Sequence, residues 1–124
     1  MTWTIRIGRR TDIEPVLALW AAADARPTRT DSAEHLGLLF GHDPSALIVA
    51  EEDHRLVGTV IAGWDGWRGS IYRLVVSPSH RRLGLGRRLV AEAESHLAAV
   101  GAVRLQAIVV DRGLLARDFW AAGE

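Results

Sequence analysis

The residues with the clearest chemical potential lie in one run in the second half of the chain, RRLGLGRR at 81–88. An apolar, β-branched stretch precedes the run and ends at Ser77 and Pro78. A segment of helical periodicity begins within the run. Glycines let a backbone approach a ligand closely, and the first amides of a helix point outward with the positive end of the helix dipole behind them. The run therefore predicts an anion-binding site, most simply for a phosphate group.

The spacing within this run narrows the kind of phosphate site. A dinucleotide-binding fingerprint requires a third glycine at position 89, where this chain has Leu89. A P-loop requires a lysine, and all fifteen basic residues of this chain are arginines. What remains is the pattern Arg81-x-x-Gly84-x-Gly86 behind a strand that ends Val-Ser-Pro.

The composition excludes several other classes of protein. A length of 124 residues suits one domain, and the absence of lysine and cysteine excludes Schiff-base catalysis, thiol nucleophiles and disulfides. Fifteen acidic residues balance the fifteen arginines, so nucleic acid is not an expected partner. The five histidines lack metal-ligand spacing, and no apolar run approaches the roughly 18 to 20 residues of a membrane span. We expect a cytoplasmic protein with no metal and no membrane contact.

Hydrophobic periodicity predicts the elements that position the run. Alternating apolar residues over 3–7 indicate a half-buried strand. A helix is expected over 12–23, begun by a capping box in which Thr11 and Glu14 bind each other's amides. A second, short helix is expected to begin at Asp31.

The second half of the chain is predicted to be richer in strands. Three apolar runs separated by turns predict an antiparallel meander, after which a helix, a strand and a short helix follow. The expected bounds of these six elements are 46–51, 56–62, 70–76, 84–100, 103–110 and 114–122. Because a strand, a helix and a further strand make a parallel crossover, the sheet is expected to be mixed and the fold class α/β.

With this element order around it, the pattern Arg81-x-x-Gly84-x-Gly86 resembles the acetyl-CoA pyrophosphate motif of the GNAT N-acetyltransferase superfamily. The segments 58–60 and 65–70 look like the small bacterial YpeA-like branch, as does Leu19-Trp20 followed by Arg26-Pro27. The resemblance implies a GNAT-like, mostly antiparallel sheet flanked by helices, in a single acetyl-CoA-binding domain over 1–124. It also implies acetyl-CoA as the acyl donor.

The resemblance implies a cofactor site along the fourth strand and the loop after it. Backbone groups of the strand would pair with the pantetheine arm, and a bulge there would separate it from the strand at 103–110. Loop amides would bind the pyrophosphate, two arginines would add charge-assisted bonds, and two residues near the end of the chain would lie by the thioester. The positions concerned are Leu74, Val75, Val76, Arg81, Arg82, Leu83, Gly84, Leu85, Gly86, Arg87, Asp111 and Phe119.

The implied reaction is direct attack of a primary amine on acetyl-CoA in a ternary complex, which requires a base and a proton donor. Asp65, Glu51 and Glu52 are candidate bases, acting through water. Many relatives carry a tyrosine after the phenylalanine of the last helix, but here Trp120 follows Phe119, and an indole N–H is not a usable acid. Tyr72, the only tyrosine, is the candidate acid, with solvent as the alternative.

Four residues are candidates for binding the acceptor amine, and each has a plainer interpretation. Trp64 and Arg68 flank a turn that would offer aromatic walls and the carboxylate of Asp65 to a cation, or would simply close a hairpin. Trp20 and Arg26 lie near the end of the first helix, where packing and helix exit also explain them.

A second function stays open beside the enzyme. Superfamily members usually follow the last helix with two more strands, and this sequence ends where those strands are expected, at Glu124. A non-catalytic acyl-CoA-binding module is therefore the alternative. The strand at 103–110 would then be an open edge, so we expect a homodimer, with a partner chain or a shortened, weakly active form as the other outcomes.

Overall fold

The computed structural model describes residues 3–23 and 25–107. Short 3-10 turns at Arg10–Asp12 and Pro78–His80 precede two of the elements. In chain order the strands and helices are β1 (Thr4–Ile7), α1 (Ile13–Ala22), α2 (Ala33–His42), β2 (Leu47–Glu52), β3 (Arg55–Trp64), β4 (Gly69–Val76), α3 (Leu85–Ala99) and β5 (Leu105–Ala107). The predicted order is confirmed as far as β5. The predicted helix over 114–122 and the end of the strand predicted over 103–110 lie outside the described residues.

The described strands form one sheet in the order β1-β2-β3-β4-β5. The first three pairings are antiparallel, and β4 pairs with β5 in parallel, from Gly69 opposite Leu105 to Ile71 opposite Ala107. A parallel pairing needs a long crossover, which α3 supplies. The predicted mixed, mostly antiparallel sheet is therefore confirmed.

Both faces of the sheet are covered. Helices α1 and α2 pack on one face through Val16, Trp20 and Phe40. Helix α3 packs on the other face through Leu85, Leu89 and their neighbours at helical spacing. Strand β2 begins with four consecutive buried residues because apolar side chains on either face of it are covered.

The capping box predicted for the first helix is wrong. Helix α1 begins at Ile13, and its N-cap Asp12 makes no side-chain cap bond. The Asp12 carboxylate instead accepts the amide of Arg9 (2.7 Å) and two bonds from the guanidinium of Arg6 (2.8 and 3.1 Å). A charge-assisted partner on β1 outweighs a local cap, so the chain makes a 3-10 turn before α1.

The start predicted for the second helix is displaced by one residue. Ser32 is the N-cap of α2, since its hydroxyl accepts the amide of His35 (3.1 Å). The carboxylate of Asp31 accepts the amide and the hydroxyl of Thr28 (3.0 and 2.8 Å) and also binds Arg73 on β4. Asp31 therefore connects the segment before α2 to the sheet.

Strand β4 contains the bulge that the resemblance implied. Thr59 pairs with Val75 but Ile61 pairs with Tyr72, so two residues of β4 lie opposite one residue of β3. At this point Arg73 has a φ of 54°, in the left-handed region. A non-glycine residue there costs about 1 to 3 kcal/mol, which surrounding contacts must offset. We call Arg73 and the residue after it the β4 bulge.

Candidate active site

Residues 77–87, which connect β4 to α3 and include the first three residues of α3, form what we call the cofactor loop. It contains two left-handed residues, Arg82 with a φ of 64° and Gly84 with a φ of 89°. The amide of Arg88 donates to the carbonyl of Gly84 (3.2 Å), so the amides of 85–87 precede the bonded turns of α3. Amides turned by left-handed residues at a helix start form a concave site for an anion.

The beginning of the cofactor loop is held to the β2–β3 hairpin. The amide of Ser77 donates to the carbonyl of Val57 (2.8 Å). The imidazole of His80 lies 2.9 Å from the carboxylate of Glu52 through Nε2, and Ser79 Oγ lies 3.0 Å from its Nδ1. His80 therefore connects the loop backbone to β2 through its pairing with Glu52.

The arginines of the cofactor loop differ in their surroundings. Arg81 donates from Nη2 to the carbonyl of Ala23 (3.0 Å), at the C-terminal end of α1, where the helix dipole is negative. A guanidinium has five N–H groups, so the bond to Ala23 uses only part of the donor capacity of Arg81. Arg82 and Arg87 are exposed beside the loop amides. The loop thus presents positive charge, and one of its arginines also contacts α1.

A chain of hydrogen bonds lies beneath the β4 bulge. The indole N–H of Trp20 donates to the hydroxyl of Thr59 (2.9 Å), and that hydroxyl donates to the carbonyl of Arg73 (3.2 Å). Trp20 is 4% exposed and Thr59 is completely buried. The plainer interpretation of Trp20, packing, therefore agrees with its contacts: it supports the bulge from inside the core.

The side chain of Arg73 crosses from the β4 bulge to the segment between α1 and α2. Its guanidinium binds the carboxylate of Asp31 through Nε (3.2 Å) and Nη2, and it donates to the carbonyl of Arg26 (3.0 Å). It also lies 4.6 Å from the ring centroid of Trp20. Sequence reasoning missed Arg73; the available signal was a charged residue inside an apolar, β-branched run.

Tyr72, the candidate acid, lies directly before the bulge on the face covered by α1 and α2. It is half-buried beside Gly63, where an added Cβ would lie 3.4 Å from the tyrosine hydroxyl. Burial, and in second place the charge of Asp43, raise the pKa of Tyr72 above its usual value. The phenol therefore keeps its proton at neutral pH.

The three candidate bases are engaged elsewhere, and Glu52 lies against the imidazole of His80. Asp65 Oδ1 accepts the amides of Arg68 (2.7 Å) and Trp67 (2.8 Å), and these bonds hold the pKa of its carboxyl below the usual value. Glu51 accepts Nε of Arg6 (2.9 Å), and this bond likewise lowers the pKa of Glu51. Asp65 and Glu51 are therefore weaker bases than a free carboxylate.

The hairpin candidates lie at the far end of β4 from the cofactor loop. Trp64 ends β3 and packs against the α3 side of the core. The guanidinium of Arg68 stacks 4.3 Å from the ring centroid of Trp67, which is 71% exposed. At about 3.3 Å per residue, the eight residues of β4 separate this hairpin from the loop by roughly 23 Å. Asp111, Phe119 and Trp120 lie outside the described residues.

Comparison with known proteins identifies the class that this fold and loop define. Residues 14–123 match the model of the acetyltransferase (GNAT) family. An acetyltransferase of Pectobacterium atrosepticum is 36% identical over 105 residues, which cover 85% of this chain and 74% of the relative. One of Photorhabdus laumondii is 37% identical over 105 residues, covering 85% and 73%.

Solved structures agree on the fold. A PaiA N-acetyltransferase from Thermoplasma acidophilum in complex with coenzyme A superposes with a TM-score of 0.81 at 16% identity, over 98% of this chain and 88% of that one. Diaminobutyrate acetyltransferase EctA from Paenibacillus lautus, in complex with L-2,4-diaminobutyric acid and coenzyme A, gives 0.81 at 17% identity, over 98% and 74%.

The chain therefore belongs to the acetyltransferase (GNAT) family, and it is an acyltransferase. In the part of the chain that the structure describes, no helix combines the length and the apolar character that crossing a membrane requires. Across residues 3–23 and 25–107, no three His, Asp or Glu side chains are grouped so that they could hold a metal ion.

Proposed function

We propose that this protein transfers the acetyl group of acetyl-CoA to a primary amine, by direct attack within a ternary complex. The observation that carries the proposal is the cofactor loop: left-handed Arg82 and Gly84 aim backbone amides outward at the start of α3. Coenzyme A in the PaiA structure, and coenzyme A with an amine in the EctA structure, support it.

In this proposal acetyl-CoA lies along the second half of β4. Its pyrophosphate binds the amides of the cofactor loop, with Arg81 and Arg82 adding charge-assisted bonds. Its pantetheine arm pairs with backbone groups of 74–76, and an amide of the same stretch donates to the thioester carbonyl. That donor stabilises the negative charge that develops on the carbonyl oxygen as the amine attacks.

The reaction moves one proton from the amine and one to the sulfur. The attacking nitrogen forms the amide bond as the carbon–sulfur bond breaks, and the electron pair leaves with the thiolate of CoA. Tyr72 is the proposed donor to that thiolate because it is the only tyrosine of the sequence and it lies directly before the β4 bulge. A thiolate with a pKa of roughly 8.5 also takes a proton from water. The base stays open between Asp65, Glu51, Glu52 and water.

Thiol release measured with acetyl-CoA and a panel of small amines, polyamines and peptides tests the proposal. Saturable release that depends on both substrates supports it, and tight acetyl-CoA binding without any turnover would favour the non-catalytic acyl-CoA module. The variant Tyr72→Phe separates the proton donors. A kcat about tenfold lower or more assigns the proton to Tyr72, whereas an unchanged kcat assigns it to solvent.

The homodimer and the cytoplasmic location stay predictions from the sequence. Sedimentation velocity at micromolar concentration tests the homodimer, because its mass is twice the 13.6 kDa of one chain. A clean monomer would argue against it.

A further inference from the structure

Arg73 is unusual in its backbone. The other described non-glycine residues with positive φ are Asp53, His54 and Arg82, and all three lie outside the strands. Arg73 alone among the described residues combines this conformation with a place inside a strand. Backbone strain of this kind persists only where surrounding contacts determine it, and it is concentrated at functional sites.

The bulge changes which way the side chains of β4 point. Ile71, Leu74 and Val76 face α3, whereas Tyr72 and Val75 face α1 and α2. The side chain of Arg73 joins the second group, so two consecutive residues point to the same face. A regular strand would alternate instead. The conformation of Arg73 therefore decides how the backbone of 74–76 is presented.

We propose that Arg73 is a positioning residue for acetyl transfer: through Asp31 and the carbonyl of Arg26 its side chain holds the β4 bulge in the orientation that the thioester requires. The proposal rests on the function proposed above. It adds a role for a side chain that touches neither substrate. In this proposal the side chain of Arg73 connects β4 to the segment between α1 and α2.

The contacts of Arg73 are enclosed and fixed at both ends. Only 9% of the Arg73 side chain and 15% of the Asp31 side chain are exposed. The carboxylate is itself held by the amide and hydroxyl of Thr28, and the guanidinium stacks on Trp20. Planar, bidentate and stacked geometry is what an arginine supplies and a lysine does not.

The side-chain contacts of Arg73 join residues that are far apart in the sequence. Arg73 and Asp31 are 42 residues apart, and Arg73 and Arg26 are 47 apart. The carbonyl of Arg73 is meanwhile bound by Thr59, whose hydroxyl is held by Trp20. Side chain and main chain of one residue are thus both fixed to α1 or to the segment after it.

The variant Arg73→Gly separates the side chain from the backbone conformation. Glycine adopts a φ of 54° without strain, so the bulge stays sterically allowed while its connection to Asp31 is lost. With an amine at saturation, we expect kcat to fall about 10- to 100-fold, because a misplacement of about 1 Å costs a rate of that order. KM for acetyl-CoA should change less than kcat, since the pyrophosphate contacts of the cofactor loop are untouched.

Two further variants keep the test sharp if Arg73→Gly folds poorly. Arg73→Lys keeps the charge but loses the fork and the stacking, and should lose activity to an intermediate degree. Asp31→Asn removes the ionic partner and should give no further loss when combined with Arg73→Gly. The exposed Arg55, changed to alanine, is the matched control and should leave kcat and KM unchanged.

Two measurements do not depend on finding the acceptor amine. Amide hydrogen exchange over 72–76 should rise in Arg73→Gly without cofactor, while exchange in β2 stays as in the wild type. The ratio of the dissociation constants of acetyl-CoA and CoA reports contact with the acetyl group, and it should move toward one in the variant.

The outcomes separate a failure of the role proposed for Arg73 from a failure of the proposed acetyltransferase function. Wild-type protein that does not bind acetyl-CoA would refute the proposed function, and the role of Arg73 with it. Wild-type binding and turnover, with kcat and the ratio of dissociation constants unchanged in a folded Arg73→Gly, would refute the role of Arg73 alone. A lower melting temperature with unchanged kcat would likewise make the contact structural only.

Discussion

The cofactor loop and the β4 bulge both hold backbone in the left-handed region, but they are stabilised in different ways. In the loop, Gly84 has no neighbouring atom within 4 Å of where a Cβ would stand, and residues 81–84 are exposed although Leu85 is buried. In the bulge, Arg73 is enclosed by partners from α1, β3 and the segment before α2. The left-handed turn at Gly84 needs no side-chain partner, because glycine adopts it without strain, whereas the bulge at Arg73 depends on residues far apart in the chain.

The difference teaches which positions tolerate change. Residues 81–84 of the loop are exposed and bury few contacts, so changes in this turn should alter ligand binding first. A bulge supported by buried hydrogen bonds should lose stability and catalytic geometry together. The following variants test this separation, from the largest expected effect to the smallest.

Gly86→Glu should abolish the cofactor site while the fold survives. Gly86 is the second residue of α3. A carboxylate at this position is stabilised by the helix dipole, so the helix should still form, but its negative charge repels the pyrophosphate. We expect acetyl-CoA to bind about 100-fold more weakly, or about 2.7 kcal/mol, by calorimetry. Gly86→Gln, of the same size and without charge, is the control and should bind far better than the Glu variant. Equal binding by both would mean that charge at this helix end is irrelevant.

Thr59→Val should destabilise the core under the bulge. The change removes a completely buried hydroxyl and leaves the indole N–H of Trp20 and the carbonyl of Arg73 without that partner. We expect the free energy of unfolding in urea to fall by about 3 kcal/mol, from one buried and one partly buried group left without this partner. Thr59→Ser keeps the hydroxyl and should lose only about 1 kcal/mol. A Val variant as stable as the Ser variant would contradict the hydrogen-bond chain.

Asp12→Asn removes an ion pair outside both regions and so measures the general cost of losing one. The bonds from Arg6, and then the amide of Arg9, lower the pKa of Asp12. A lowered folded-state pKa gives stability that is complete above the unfolded value of about 3.9 and is lost as the pH falls through the folded-state pKa.

The wild type should therefore lose stability on acidification below about pH 4, and Asp12→Asn should show a shallower loss. At pH 7 the variant should be about 1 kcal/mol less stable, with kcat unchanged. Urea denaturation at pH 7 and at stepped pH down to about 3 checks both. A steeper acid dependence in the variant than in the wild type would contradict the assignment.

Asp65→Asn should have the smallest effect. An asparagine oxygen accepts the amides of Trp67 and Arg68 as the carboxylate does, so the turn is kept. We expect kcat to change by no more than about twofold if water or another group is the base. A loss of about 100-fold in an otherwise intact variant would make Asp65 the base despite its lowered pKa.

The contiguous parts of the site were predictable from the sequence because their causes are local. The glycines at 84 and 86, and the proline that ends the strand before them, predict the turn and the helix start without knowledge of any distant residue. The same holds for the element order, since hydrophobic periodicity reports which face of each segment is buried. Even so, the caps at Thr11 and Asp31 were wrong, because Arg6 and Arg73 draw the neighbouring carboxylates into longer-range pairs.

By itself the sequence determined a mixed sheet, a glycine loop before a helix, and an absence of lysine and cysteine that excludes covalent catalysis through those residues. The tertiary structure alone decided that Arg73 adopts a strained conformation and that Asp31, Arg26 and Thr59 hold it there. The physical reason is that an ion pair between residues 42 apart exists only once the strands and helices have packed, and no local pattern records it.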